Sequence, residues 1–464
     1  MRWKAVNRGI IGNNYKVVLA CVLCILLCTG CNETVNDGVT INSETFTTKW
    51  SAGDSLISGE KTMTPAPETW PVVSLESVDT SGNITSTPTD GDPSMSSVDY
   101  CQTQDYYYEM EYDFQGNANI YYFDKQKHTY LPLCNKPECN HKNEDCISYF
   151  SQYEYASGLE YYDGMLYTMV TEVEATDTEE EAGKVYSSQT AEVSLYAISP
   201  DGMHKQKIQS IKTVEQAMSE YNIQYSVNFF LHRGYVYYTY VIYNPLEKDD
   251  VYQNGNCCLY RVPIGGKETE AECIYAFNRY SDTTPMPRIK TYGNYLYFCD
   301  LTDESDESGY LCRVNLETKQ VEKLPIEQSI YDGEFYICSD GIYYQAQGDE
   351  KKYWRYSFEN KSSQMILDLT TISDYIPYGV AYDETYWYAV FGEEDDEGHV
   401  EKRHIYVLNQ QFQQLGEIVR GDGAMVLQSQ GVMAITDEGT LYGWIDKSEF
   451  AKSIFTIHEV ESSE

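Results

Sequence analysis

Leu195-Tyr196-Ala197-Ile198 is one copy of a phrase, apolar-Tyr-x-apolar, that returns through residues 99–464. The other copies are Ile120-Tyr121-Tyr122-Phe123, Leu259-Tyr260-Arg261-Val262, Leu311-Cys312-Arg313-Val314, Tyr353-Trp354-Arg355-Tyr356, Ile405-Tyr406-Val407-Leu408 and Leu441-Tyr442-Gly443-Trp444. A Tyr-rich strand and a polar loop precede each copy, and a short turn and a closing apolar strand follow it. The period is on the order of 50 residues, room for one small antiparallel sheet per repeat. Such a sheet cannot bury both faces alone, and radial stacking against its neighbours solves the problem. The expected fold is therefore all-β: a β-propeller of about seven four-stranded blades.

The clearest hairpin runs from Gly158 through Tyr161-Tyr162-Asp163-Gly164 to Met165-Leu166-Tyr167, with Asp-Gly as the tight-turn signal. A long polar loop is expected after Val170, then a strand from Val193 to Ser199 and a turn at Pro200-Asp201-Gly202. The first repeat, Tyr106 to Cys134, shows three clear strands. Its inner strand is expected either from Asp99–Gln104 or from exchange with the C-terminal end.

At the N-terminus Arg2, Lys4, Arg8 and Lys16 precede an apolar run from Val17 to Cys28 that ends at Thr29-Gly30-Cys31. The run is short for a bilayer span, which needs ~20 apolar residues, and has the charged flank of a secretory signal. Residues 1–30 are expected to be a lipoprotein signal peptide, because Gly30-Cys31 resembles a bacterial lipobox. That resemblance implies lipidation of Cys31, attachment to the membrane through that lipid, and a body on the outer face of the cytoplasmic membrane. An ordinary signal peptide or an uncleaved anchor is the alternative. Residues 31–98, rich in Ser, Thr, Asp, Gly and Pro, read as a disordered linker, and 99–464 as the propeller.

The chain has 72 acidic and 33 basic side chains. Removing residues 1–30 takes away four bases and no acid, which moves the formal net charge from −39 to −43. Such a surface repels phosphate backbones, which argues against a nucleic-acid partner. Acidic tracts at Asp177–Glu181, Glu247–Asp250, Asp303–Glu307 and Glu393–Glu397 fall between the second and third strands of their repeats. They read as solvated hairpin tips, with a cationic-ligand surface as the functional alternative. Most of the 45 tyrosines lie in strands, where blade packing absorbs them, whereas Tyr153 and Tyr155 are more open to ligand stacking.

One compact constellation carries chemistry: Leu133-Cys134-Asn135-Lys136-Pro137-Glu138-Cys139-Asn140-His141, continuing to Cys146. Three thiols and an imidazole suffice for a tetrahedral Cys3His zinc site at Cys134, Cys139, His141 and Cys146. The spacing C-x4-C-x-H-x4-C departs from C-x2-C knuckles, and an oxidising compartment permits a disulfide among the three cysteines instead. Four protein ligands leave no open position, so zinc here would be structural. This segment, the lipobox and the blade strands together resemble Gram-positive lipoproteins of the gut-anaerobe type that carry a TolB-like β-propeller domain of unknown function. The resemblance covers most of the chain and implies a cell-surface propeller; it supplies no catalytic residue.

Cys299 and Cys312 flank one hairpin and are candidates for a cross-strand disulfide. His399 and His404 flank an acidic hairpin and read as surface residues. The chain has no Gly-x-Ser-x-Gly elbow, phosphate-binding Gly-rich loop or His-Glu-x-x-His pair. The expected function is binding or scaffolding toward a surface protein, peptide or glycan. The alternative is a glycan hydrolase or lyase using carboxylates in the propeller funnel.

Overall fold

The computed structural model describes residues 99–460 apart from breaks at 104, 182–183, 220–223, 244–257, 277–288, 304–305, 327–329, 347, 350, 383–384, 396–398, 422–424, 428–431 and 438–439, together with residues 77–78 and 84–85. The signal, Cys31 and the tract Glu247–Asp250 lie outside the described residues. By internal contacts, residues 375–460 form one compact unit and the described residues before them another.

Every described sheet is antiparallel. Strand β1 (Ser77–Val78) pairs with β2 (Ile84–Thr85). The first blade is β3 (Tyr100–Gln102), β4 (Tyr106–Tyr112), β5 (Ala118–Asp124) and β6 (Thr129–Pro132), with β7 (Tyr149–Phe150) added to β5. The second is β8 (Glu154–Tyr162), β9 (Met165–Glu181), β10 (Lys184–Ile198) and β11 (Lys205–Ser219). The third is β12 (Gln224–His232), β13 (Tyr235–Tyr243), β14 (Cys258–Pro263) and β15 (Glu272–Ala276). The next sheet has eight strands. They are β16 (Ile289–Tyr292), β17 (Tyr295–Asp303), β18 (Asp306–Asn315), β19 (Val321–Lys323), β20 (Ile330–Cys338), β21 (Gly341–Ala346), β22 (Lys352–Ser357) and β23 (Ser362–Asp368). The C-terminal unit holds β24 (Ile376–Tyr382), β25 (Trp387–Glu394), β26 (Val400–Leu408) and β27 (Gln414–Gly421), then β28 (Met425–Leu427), β29 (Val432–Asp437), β30 (Thr440–Asp446) and β31 (His458–Glu459).

These are the four-stranded blades of a β-propeller, and among the described residues they number six rather than about seven. Each copy of the sequence phrase is present as the third strand of a four-strand meander, in β5, β10, β14, β18, β22, β26 and β30. The shortfall arises where two meanders share one sheet. Strand β19 covers only three residues of β18, and the edge left open beyond it pairs with β20 through Gly309 and Ile330. The first blade takes its inner strand from its own chain, since β3 pairs with β4.

The phrase works because residues three apart on a strand face opposite sides of the sheet. Leu195 packs with Val236, Tyr238 and Val262 of the third blade, whereas Ile198 packs with Ile120, Leu133 and Phe150 of the first. Leu259 and Val262 divide in the same way, Leu259 toward Ile289 and Leu296 and Val262 toward Leu195. Each such side chain contributes roughly 1.5–3 kcal/mol by leaving water. The strand tyrosines join this core: Tyr107, Tyr108, Tyr237, Tyr297, Tyr344 and Tyr388 are buried. Asp163 and Gly164, at φ +45° and +83°, form the two-residue turn that their sequence signals.

The polar loop expected after Val170 is instead a ladder running to Lys184↔Glu181. The alternation of Thr171-Glu172-Val173-Glu174, matched across β10 by Thr190-Ala191-Glu192-Val193, sustains strand pairing far beyond the core, so Asp177–Glu181 is strand. The cross-strand disulfide considered at Cys299 and Cys312 is not formed. Register sets Cys299 opposite Leu311 and Phe298 opposite Cys312, so the two cysteines face opposite sides and belong to different cores. Both are free.

Asp99 links the first two blades. Its carboxylate accepts from the Tyr112 hydroxyl at 3.0 Å and the Gly158 N–H at 2.9 Å. Burial nevertheless dominates and raises its pKa from 3.8 to about 6. A folded pKa above the unfolded one means that this group's contribution is full below 3.8 and is lost as pH rises through 6. Asp99→Asn should therefore stabilise the protein above pH 7 by on the order of 1–3 kcal/mol. In thermal melts across pH the advantage should shrink toward pH 4, and a constant offset would contradict the assignment.

Candidate functional site

The cysteine segment is an excursion from the first blade closed at a single residue. Ile120 accepts from the Leu133 N–H at 2.8 Å, and its own N–H donates to the Ser148 carbonyl at 3.0 Å. Beyond these contacts β6 pairs with β5 at Pro132, and β7 pairs with it at Tyr149. Leu133 and Phe150, both buried, anchor the two ends in the core shared with the second blade.

Between these anchors Ile147 packs against the same core, and short polar turns hold the rest of the segment. The Cys139 N–H donates to the Lys136 carbonyl at 3.1 Å and the Cys146 N–H to the Asn143 carbonyl at 3.0 Å. Asn140 and Asn143 accept from the N–H groups of Lys142 and Asp145 at 3.1 and 3.2 Å. The Lys136 ammonium caps the Asp145 carbonyl. His141 sits at φ +57°, a left-handed conformation that swings its ring back toward the thiols.

The structure gathers all four predicted ligands. The Sγ atoms of Cys134, Cys139 and Cys146 and a ring nitrogen of His141 all lie within 4.8 Å of one another, and the set can hold a metal ion. His141 Nδ1 stands 3.4 Å from Cys146 Sγ, and the His141 N–H donates to Cys139 Sγ at 3.4 Å. Cys146 is buried and lies 3.2 Å from the Ser148 hydroxyl; the other three ligands are partly exposed. Burial pushes the Cys146 thiol up to about 11, against hydrogen bonds from Ser148 that favour the thiolate. Burial also acts to raise Cys134, but the backbone N–H groups of Lys136 and Ile147 and the thiols of Cys146 and Cys139 outweigh it, and the net shift is downward. Thiolate is the form that binds metal, and burial makes loss of the proton harder at Cys146 than at Cys134.

The second blade supports the loop from outside. Gly202, at φ +68°, accepts from the Asn135 N–H at 3.2 Å. A Cβ on Gly202 would lie 3.0 Å from the Cys134 nitrogen and the Leu133 carbonyl carbon.

Two polar clusters were not legible in the sequence. His404 is buried rather than on the surface: Glu417 meets its Nδ1 at 2.6 Å, Glu393 meets its Nε2 at 3.2 Å, and Tyr375 stacks on the ring at 4.1 Å. His399 is exposed, as expected. In the first blade buried Glu109 accepts from Tyr107 at 3.0 Å and from Tyr130, which also reaches Glu111 at 2.6 Å. Both clusters depend on which side chains the register sets across neighbouring strands, and no local motif announces them.

No protein-family model and no curated protein matches the chain. Among solved structures it is similar to an oligogalacturonate lyase in complex with manganese, at 12% identity over 77% of this chain and 84% of that one, TM-score 0.39. An oligogalacturonate lyase from Vibrio parahaemolyticus gives 13% identity, 77% and 86% coverage and TM-score 0.41. A TolB candidate from Agrobacterium tumefaciens gives 15% identity, 55% and 84% coverage and TM-score 0.29. The reading of the site rests on its own geometry.

Gly202→Ala tests that support. The added methyl and the strained φ should displace Cys134 and lower the metal retained after dialysis against a chelator, at a stability cost of about 1 kcal/mol or more. The β-sheet circular dichroism should persist. Retention equal to wild type would show that the loop does not depend on this contact.

Proposed function

We propose that this chain is a β-propeller lipid-anchored on the outer face of the cytoplasmic membrane that acts by binding or scaffolding, and that a structural zinc ion fixes its Cys134–Cys146 loop. The observation that carries the reading is the closed Cys3His set, the one metal-competent group among the described residues. With Zn–S about 2.3 Å and Zn–N about 2.0–2.1 Å, a tetrahedron has edges of about 3.5–3.8 Å. The 3.4 Å between His141 Nδ1 and Cys146 Sγ is close to such an edge. All four positions would be filled by protein, which suits a loop with little apolar burial and leaves no site for a reacting water. The Gly30-Cys31 junction supports lipid attachment at Cys31, and the polar linker supports a tethered domain that reaches ligands beyond the membrane surface.

Cells expressing the full chain and fed a clickable fatty acid should label the wild type and not Cys31→Ser, with the propeller accessible to protease added outside. The purified protein should leave polyuronates and neutral polysaccharides uncleaved. Label on Cys31→Ser would remove the anchor from the account, and release of shortened or unsaturated products would replace binding with catalysis.

A further inference from the structure

We propose that the loops beside the cysteine segment form a docking surface for a polypeptide carrying exposed lysine or arginine side chains. The inference rests on the binding reading above and names its ligand class.

Two aromatic side chains stand in water there. Phe114, at the tip of the β4–β5 hairpin, is 93% exposed, and Tyr153, between β7 and β8, is 74% exposed. Burying either ring would be favourable, and large aromatics are the side chains that most often anchor interfaces. The two loops are tied together. The Gln152 N–H donates to Asn117 Oδ1 at 2.9 Å, and Asn117 Nδ2 donates to Asp113 Oδ2 at 2.8 Å. Asp113 also accepts from the N–H groups of Gln115 and Asn117, so the Phe114 turn is held from within. Aromatics carried on fixed loops lose little further freedom on binding.

Charge selects the occupant. Asp113, Glu144 and Glu154 come from the hairpin, the cysteine loop and the start of β8, and all three act on Tyr149, whose hydroxyl pKa is raised by burial first and then by these acids. Lys205, which interacts with Glu154 and Glu144, is already engaged: its ammonium donates to the Tyr149 carbonyl at 2.6 Å and lies 4.3 Å from the Phe150 ring centroid, and the Lys136 ammonium is held by the Asp145 carbonyl. Aromatic faces beside carboxylates favour an organic cation, through ring quadrupole and Coulomb attraction together. In a chain with 72 acids and 33 bases the long-range field points the same way. Lysine and arginine side chains of a polypeptide fit both terms, and a neutral glycan fits only the aromatic one.

The test uses the full chain in detergent and labelled peptides of alternating lysine and glycine or alternating glutamate and glycine, followed by fluorescence anisotropy. The lysine peptide should bind, more weakly as salt rises, and the glutamate peptide should not. Phe114→Ala with Tyr153→Ala should weaken binding roughly tenfold, and Glu144→Gln about threefold. All three positions are exposed, so unchanged melting temperatures are expected and guard against unfolding. Equal affinity of the double variant and wild type would overturn the surface and leave only non-specific charge attraction. A neutral chitin oligosaccharide that binds wild type and not the double variant, with lysine-peptide binding unaffected, would overturn the ligand class in favour of a glycan. Absence of lysine-peptide binding would sink this inference while leaving the anchored binding protein standing; glycan turnover would remove that reading itself.

Discussion

A four-stranded sheet has two faces to hide and nothing within itself to hide them with. The third strand of each blade answers this by carrying apolar side chains three residues apart, which point to opposite sides. Leu195 and Ile198 are the plainest case, serving the third and first blades respectively. Most other features follow from that arrangement. Interior strands are apolar on both faces, and tyrosine is tolerated in them because it fills wide gaps between sheets.

The cysteine segment is one such connection, and it differs from the blades in how it is held. The blades are held by burial. The loop is held by its two ends meeting at Ile120, by Asn and Lys capping its turns, and by Gly202 pressing on it from the second blade. The four ligand atoms converge with almost no apolar contribution of their own, which is the circumstance in which a metal does most for a fold. The exposed aromatics at Phe114 and Tyr153 stand on turns fixed in the same way.

Fold class was legible because the phrase is local and repeated. The turn at Asp163-Gly164 was legible because its residues tolerate positive φ, and the ligand set because Cys134, Cys139, His141 and Cys146 lie within a single loop. Three things were not. Blade number depended on β19 being too short to cover β18, a matter of pairing length that composition does not reveal. The ladder that replaces the polar loop after Val170 depended on complementary alternation in β10. The His404 and Glu109 clusters depended on cross-strand register, which decides what lies diagonally across a sheet and leaves no mark within one strand.

Zinc bound by the Cys3His set would hold the loop. X-ray absorption at the zinc edge, on protein purified anaerobically with zinc present, reads the ligand shell directly. The account predicts three sulfurs at about 2.3 Å and one nitrogen at about 2.0–2.1 Å, with one nitrogen scatterer replaced or lost in His141→Ala. A shell of oxygen and nitrogen alone, or metal-free native protein with two of the three cysteines joined as a disulfide, would contradict it.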